Sequence, residues 1–166
     1  MTRGTIKIAD HNGVFVIKME GDVRLTLCLS FAEFIEETLN QPNYDSVVFD
    51  LAEAQAVDST TLGLMAKVSI RAGHHGHQSP LVISDNASIT RILVSMGFDD
   101  IFRLVDKSEF DAGQNSTADH IILSEKNGNE TEVQKKVLEA HHILMDLNDS
   151  NHATFKELVE TLEAQK

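Results

Sequence analysis

The sequence predicts an α/β fold: a mainly parallel sheet carrying helices, in the order β-β-α-β-α-β-α-β, followed by a C-terminal α-helical hairpin. Three observations predict it. Short apolar runs, Ser46-Val47-Val48-Phe49-Asp50-Leu51 and Pro80-Leu81-Val82-Ile83-Ser84, have the length and β-branched content of strands buried on both faces. Segments between and after them carry apolar residues at helical spacing. Toward the C-terminus only the helical period remains.

In chain order, Thr5-Ile6-Lys7-Ile8 and Val14-Phe15-Val16-Ile17-Lys18-Met19 flank Asn12-Gly13, a dipeptide that closes β-hairpins. Ser30-Phe31-Ala32-Glu33 has capping-box form and opens a helix carrying Phe34, Ile35 and Leu39. After strand 46–51, Leu62, Leu64, Met65, Val68 and Ile70 mark a second helix that stops at Gly73. Strand 80–84 follows. Ile89, Ile92, Leu93 and Met96 form a third helix closed by Gly97, and Ile101-Phe102-Arg103-Leu104-Val105 reads as a last strand. The stretch from Asp106 to Asp119 is polar and aperiodic. The chain is therefore expected to divide into a domain at 1–110, a linker at 111–129 and a helical extension at 130–166. In the extension, Val133, Val137, Ala140, Leu144 and Leu147 form one stripe. Beyond Asn148-Asp149-Ser150-Asn151, a capping box at Thr154-Phe155-Lys156-Glu157 precedes Phe155, Leu158, Val159 and Leu162. Short helices are marginal alone, so the hairpin must bury its stripe, against the first domain or against a partner, self-association included.

Composition narrows the function. The chain has 166 residues, 42% apolar and 24% charged, with a net charge of −12. Residues 1–110 hold 9 basic and 15 acidic side chains and residues 111–166 hold 5 and 11, so each part carries −6 and the tail is the denser. Such acidity argues against direct nucleic-acid binding and against a polybasic membrane face. No apolar run approaches the ~18 residues of a spanning helix, and no signal-peptide core follows Met1, so a soluble, cytoplasmic protein is expected. The single cysteine, Cys28, excludes an internal disulfide and a cysteine-based zinc cluster. Tryptophan is absent, which leaves few platforms for stacking bases or sugars.

Binding in open α/β sheets gathers beyond the carboxyl ends of parallel strands. Here that edge holds Glu53, Asp58, Ser59, Thr60, Thr61 and Leu62, with the hydroxyls placed where the second helix should begin. A hydroxyl at that place has two roles. It can cap the helix, a contribution of about 0.5–2 kcal/mol. It can also be an exposed phosphate acceptor, because unpaired N–H groups and the helix dipole favour an anion.

Phe49-Asp50-Leu51 through Val57-Asp58-Ser59-Thr60-Thr61-Leu62-Gly63 resembles the signature of STAS domains, the anti-sigma factor antagonists (anti-anti-sigma factors) of bacteria. The resemblance runs from about Thr5 to Val105 and includes Gly21-Asp22, Pro80-Leu81-Val82-Ile83 and Ile92-Leu93 through Met96-Gly97-Phe98. It implies that Ser59 is phosphorylated by a serine kinase that is often also the anti-sigma factor, and restored by a serine phosphatase. Asp58 is then the flanking acid, and Glu53, Asp58, Ser59, Thr60, Thr61 and Leu62 are the expected partner-binding residues. Thr61 stands where many members have glycine, which adds a hydroxyl beside Thr60. The C-terminal extension resembles that of longer gammaproteobacterial members in partner-switching pathways of motility, biofilm or stress control. The resemblance also implies a nucleotide-binding module as the alternative, since some relatives bind nucleotides.

Other chemistry finds less support. There is no GxxxxGK[ST] or GxGxxG phosphate cradle. Asp50, Glu53 and Asp58 could form the carboxylate set of a small hydrolase, but no matched nucleophile and base accompany them. His74-His75-Gly76-His77 lies at a helix end without a completing acid or thiol, so no metal site is assigned. His141-His142 lies inside the tail helix, where at most one can face a core, and a solvated pair is the reading preferred; no cofactor is expected.

Overall fold

Six strands form one sheet in the spatial order β5-β4-β3-β2-β1-β6, in a computed structural model that describes residues 2–109 and 120–165. β1 (Thr5–His11) and β2 (Val14–Val23) pair antiparallel across Asn12 and Gly13. Both turn residues have positive φ, 54° and 95°, which the tight hairpin turn requires. β3 (Ser46–Val57), β4 (Leu81–Ile83) and β5 (Arg103–Val105) each join in parallel. β3 is twice the length expected. Its second half, Ala52–Val57, pairs with the end of β2 through two register shifts, so residues expected in a loop belong to the sheet.

The helices gather on one face of the sheet. α1 (Cys28–Phe34) runs on into a π-helical turn at Ile35–Leu39. It begins before Ser30, whose hydroxyl donates to the Ser124 carbonyl instead of capping, so the capping box is not used. α2 (Ser59–His74) continues past Gly73, which fits the helix, and ends where Gly76 turns left-handed at φ 77°. α3 (Ala87–Ser95) is capped by Asn86 and ended by Gly97 at φ 84°. These helices and the alternate residues Val47, Phe49 and Leu51 of β3 bury one core, with Phe31, Leu64, Met65, Leu93 and Phe98 at its centre. The opposite face holds a small cluster around Val48, Ile83 and Val105, so the centre of β3 is buried on both faces as expected, with strand residues packing the second face.

The C-terminal segment adds an edge strand and a third layer. β6 (Ile121–Ile122) pairs antiparallel with β1, so part of the expected 111–129 linker belongs to the sheet; residues 110–119, which include the start of that linker, lie outside the described residues. α4 (Glu130–Leu147) and α5 (Asp149–Ala164) meet at Asn148, whose Oδ1 accepts from the Asn151 amide. α5 therefore starts before the Thr154 capping box. Thr154 is an interior residue whose hydroxyl donates to the Ser150 carbonyl.

The helical pair folds back on the domain. α4 lies across α2 and α1. The side-chain amides of Asn148 and Asn151 both donate to the Met96 carbonyl, at 3.2 and 2.8 Å, at the end of α3. Leu144, Phe155 and Val159 are buried, each contributing roughly 1.5–3 kcal/mol by area. No described helix is long and apolar enough to cross a membrane.

Candidate functional site at the start of α2

The site is built where β3 hands over to α2. The Asp58 amide donates to the Val23 carbonyl, which ties the strand end to β2. Asp58 then takes an extended conformation, and its Oδ1 accepts from the Thr61 amide at 2.9 Å. Asp58 is therefore the N-cap, and Ser59 is the first helical residue. The capping role open to Ser59 from sequence is already filled. Its hydroxyl is left for another partner.

That partner is His141 on α4. Ser59 Oγ lies 2.8 Å from His141 Nε2, and His141 Nδ1 lies 2.6 Å from the Val137 carbonyl. A carbonyl only accepts, so Nδ1 carries a hydrogen; in the neutral ring Nε2 then accepts the Ser59 O–H. His141 is 2% exposed, and its ring meets Phe155 edge-on at 5.1 Å. The two adjacent histidines divide: His141 is buried and His142 is exposed, so the expected solvated pair is corrected. His141 stands four residues after Val137 and three before Leu144. The period of the stripe could have placed it on the inner face.

α4 comes close because of Gly63. A Cβ built there would lie 2.7 Å from the Ala140 carbonyl carbon and from the Ala140 Cβ, and nearer still to its oxygen. The unexplained glycine inside a helical pattern was the sequence signal for this approach. Farther along, Lys67 bonds Glu36 at 2.7 Å and also Glu139, while Arg71 reaches Glu36 at 3.0 Å. Burial pushes the Glu36 carboxyl up, but its hydrogen bonds to Lys67 and Arg71 outweigh this and hold it below its ordinary value.

The other expected site residues are dispersed. Glu53 lies within β3, exposed, 3.9 Å from Lys107. Thr60, Thr61 and Leu62 are buried and offer no surface in this arrangement. Asp58 has a different neighbour, the buried Cys28 thiol, which burial and then the Asp58 charge push up to about 11. A separate open groove of about 1140 Å³ flanks the ends of β4 and β5, with Arg91 and Lys107 set against Asp85 and Asp106. Among the described residues no three His, Cys, Asp or Glu side chains converge on a metal position. His75 and His77 instead pack around Tyr44, at ring distances of 6.0 and 4.6 Å.

Comparison with known proteins places this geometry among relatives. Residues 5–112 match the family model described as STAS domain. Over 100 residues, covering 60% of this chain and 80% of the other, the sequence is 30% identical to anti-sigma-F factor antagonist RsfB of Mycobacterium tuberculosis. Among solved structures, an anti-sigma factor antagonist from Mycobacterium paratuberculosis superposes with a TM-score of 0.54 at 19% identity, covering 68% of this chain and 93% of that one. The Thermotoga maritima protein TM1081 superposes with a TM-score of 0.54 at 17% identity, covering 65% and 91%. These two likenesses speak to the fold.

Proposed function

Because the chain belongs to the STAS domain family, we propose that it is an anti-sigma factor antagonist whose hold on its regulator is switched by phosphorylation of Ser59. The observation that carries the reading is the division of labour at the start of α2. Asp58 caps the helix, so the Ser59 hydroxyl can be esterified without removing a cap. Its position at the helix N-terminus favours the added anion. The partners are an anti-sigma factor or serine kinase and a serine phosphatase, and the output is a bacterial partner-switching pathway. The chain acts by binding, without cofactor, rather than by catalysis, and the cytoplasm is where such partners reside.

The magnitude is adequate for a switch. A phosphate brings about −1.5 to −2 charges next to Asp58. Burying one partner's unpaired charge in an interface costs about 2–5 kcal/mol, and each 1.4 kcal/mol is tenfold in affinity. The Ser59–His141 pair has the contact of a nucleophile and its base, which is the one observation favouring a hydrolase. Against that reading, the base is buried under Phe155, and the large groove is lined by other residues. The test is phosphosite mapping of the protein isolated from its own cells by mass spectrometry. Phosphate on Ser59 is expected; phosphate confined to Thr60 or Thr61, or none under any growth condition, refutes the reading.

A further inference from the structure

The geometry points to α4 as an intramolecular occupant of the surface through which a partner reads Ser59, so that α4, a docked partner and a phosphate on Ser59 exclude one another. The inference rests on Ser59 being the acceptor, as proposed above.

Four observations carry it. The Ser59 hydroxyl is one hydrogen bond, 2.8 Å, from a ring that is itself 2% exposed. A phosphate ester at Oγ ends this bond, because the ester oxygen has no hydrogen to donate. The ring cannot retreat in place, because Nδ1 is bonded to Val137 of its own helix and Phe155 of α5 backs the ring. One turn on, Gly63 and Ala140 bring the backbones of α2 and α4 together, so the two helices leave no gap for a third. Thr60, Thr61 and Leu62, which follow Ser59 on α2, are themselves buried, so half-buried Ser59 is the most exposed of the four. A macromolecule that reads Ser59 from the α2 face therefore has to take the place of α4.

The two helices form one unit. α4 and α5 pack on each other, and α4 packs as extensively on α2 and α1, where Ala140, Leu144 and Phe155 join the domain's core. The polar ties across this contact, among the described residues, are the Ser59–His141 bond, Lys67 to Glu139, and the two asparagines on the Met96 carbonyl. Esterifying Ser59 removes the O–H that His141 accepts and inserts an anion at the same point. The phosphorylated chain accordingly holds its helical pair away from α2, while the phosphate bars the regulator. In the unmodified chain the regulator has to displace the pair.

Full-length protein carrying phosphoserine at position 59, installed by codon suppression, tests this against unmodified protein by hydrogen exchange read as peptides. Amides of α4 and α5 should exchange roughly tenfold faster or more, with β1 and β3 unchanged. Gly63→Val, which drives a side chain into Ala140 without touching Ser59, should give the same pattern. Unchanged or increased protection of α4 in the phosphorylated chain overturns the inference. So does a loss spread equally over β3, which would make the pair inseparable from the sheet. Neither result depends on any partner, so failure here is distinct from failure of Ser59 to be phosphorylated in cells.

Discussion

Replacing His141 with alanine perturbs the contact on which the site depends, and its cost can be built from the structure. The change removes the acceptor of the Ser59 hydroxyl, a bond worth about 0.5–1.5 kcal/mol net. It also removes the edge-on contact with Phe155, worth a similar ~0.5–1.5 kcal/mol. The ring is buried, so a cavity is left beneath α5, and core truncations of comparable size cost about 2–5 kcal/mol in all. A loss of about 2–4 kcal/mol is expected. Ser59→Ala should cost about 1–3 kcal/mol by leaving His141 Nε2 buried without a donor, since Asp58 keeps the cap. The two changes meet at one hydrogen bond, so the double variant should cost less than the sum by about 0.5–1.5 kcal/mol. Urea unfolding of the four full-length proteins measures this. Additivity within about 0.3–0.5 kcal/mol would show that Ser59 and His141 are not coupled, and the argument for α4 as an occupant would lose its anchor.

Gly97→Ala should destabilise by about 1–3 kcal/mol, because φ is 84° and the new Cβ would lie 2.6 Å from Asn148 Nδ2; an unchanged melting temperature would contradict this. Cys28, with its thiol pushed up to about 11, should resist an aromatic disulfide reagent at pH 8 until the chain unfolds, and fast stoichiometric labelling of folded protein would refute its burial. The Glu36 carboxyl is held low in the folded state. Its contribution is thus present above its unfolded value of about 4.3 and is lost as pH falls through the lower folded value. Glu36→Gln should therefore flatten the acid limb of a stability–pH curve, and an unchanged limb would mean that Lys67 and Arg71 contribute nothing there. Residues 1–110 should still unfold cooperatively as an isolated fragment, at lower stability than the full chain, since β1 to β5 and α1 to α3 supply most of a core to which α4 and α5 add Ala140, Leu144 and Phe155; absence of a transition would contradict a division at 110.

The strand–helix order was legible because period and punctuation agree locally. Asn12-Gly13 closes its hairpin, and Gly97 ends α3 in the left-handed conformation anticipated for it. Hydroxyl motifs misled in three places. Ser30 and Thr154 have the spacing of caps but lie inside helices, where their hydroxyls donate to the Ser124 and Ser150 carbonyls instead. Ser59 yields its capping role to Asp58, one residue earlier. The length of β3 was hidden because Ala52–Val57 alternates small and polar residues, and its pairing is set by β2 rather than by its own pattern. The docking of α4 onto α2 is a tertiary fact. Its sequence traces, Gly63 within a helix and His141 on an apolar stripe, are meaningful only when set opposite each other.

The most direct test of the central claim is a calorimetric titration of the anti-sigma regulator, once captured from the native cells, into unmodified full-length protein and into protein phosphorylated at Ser59. The unmodified chain should bind, and phosphorylation should weaken binding by roughly 30-fold or more, in line with a charge penalty of at least ~2 kcal/mol. Equal affinities would contradict the account and leave Ser59 as a structural partner of His141.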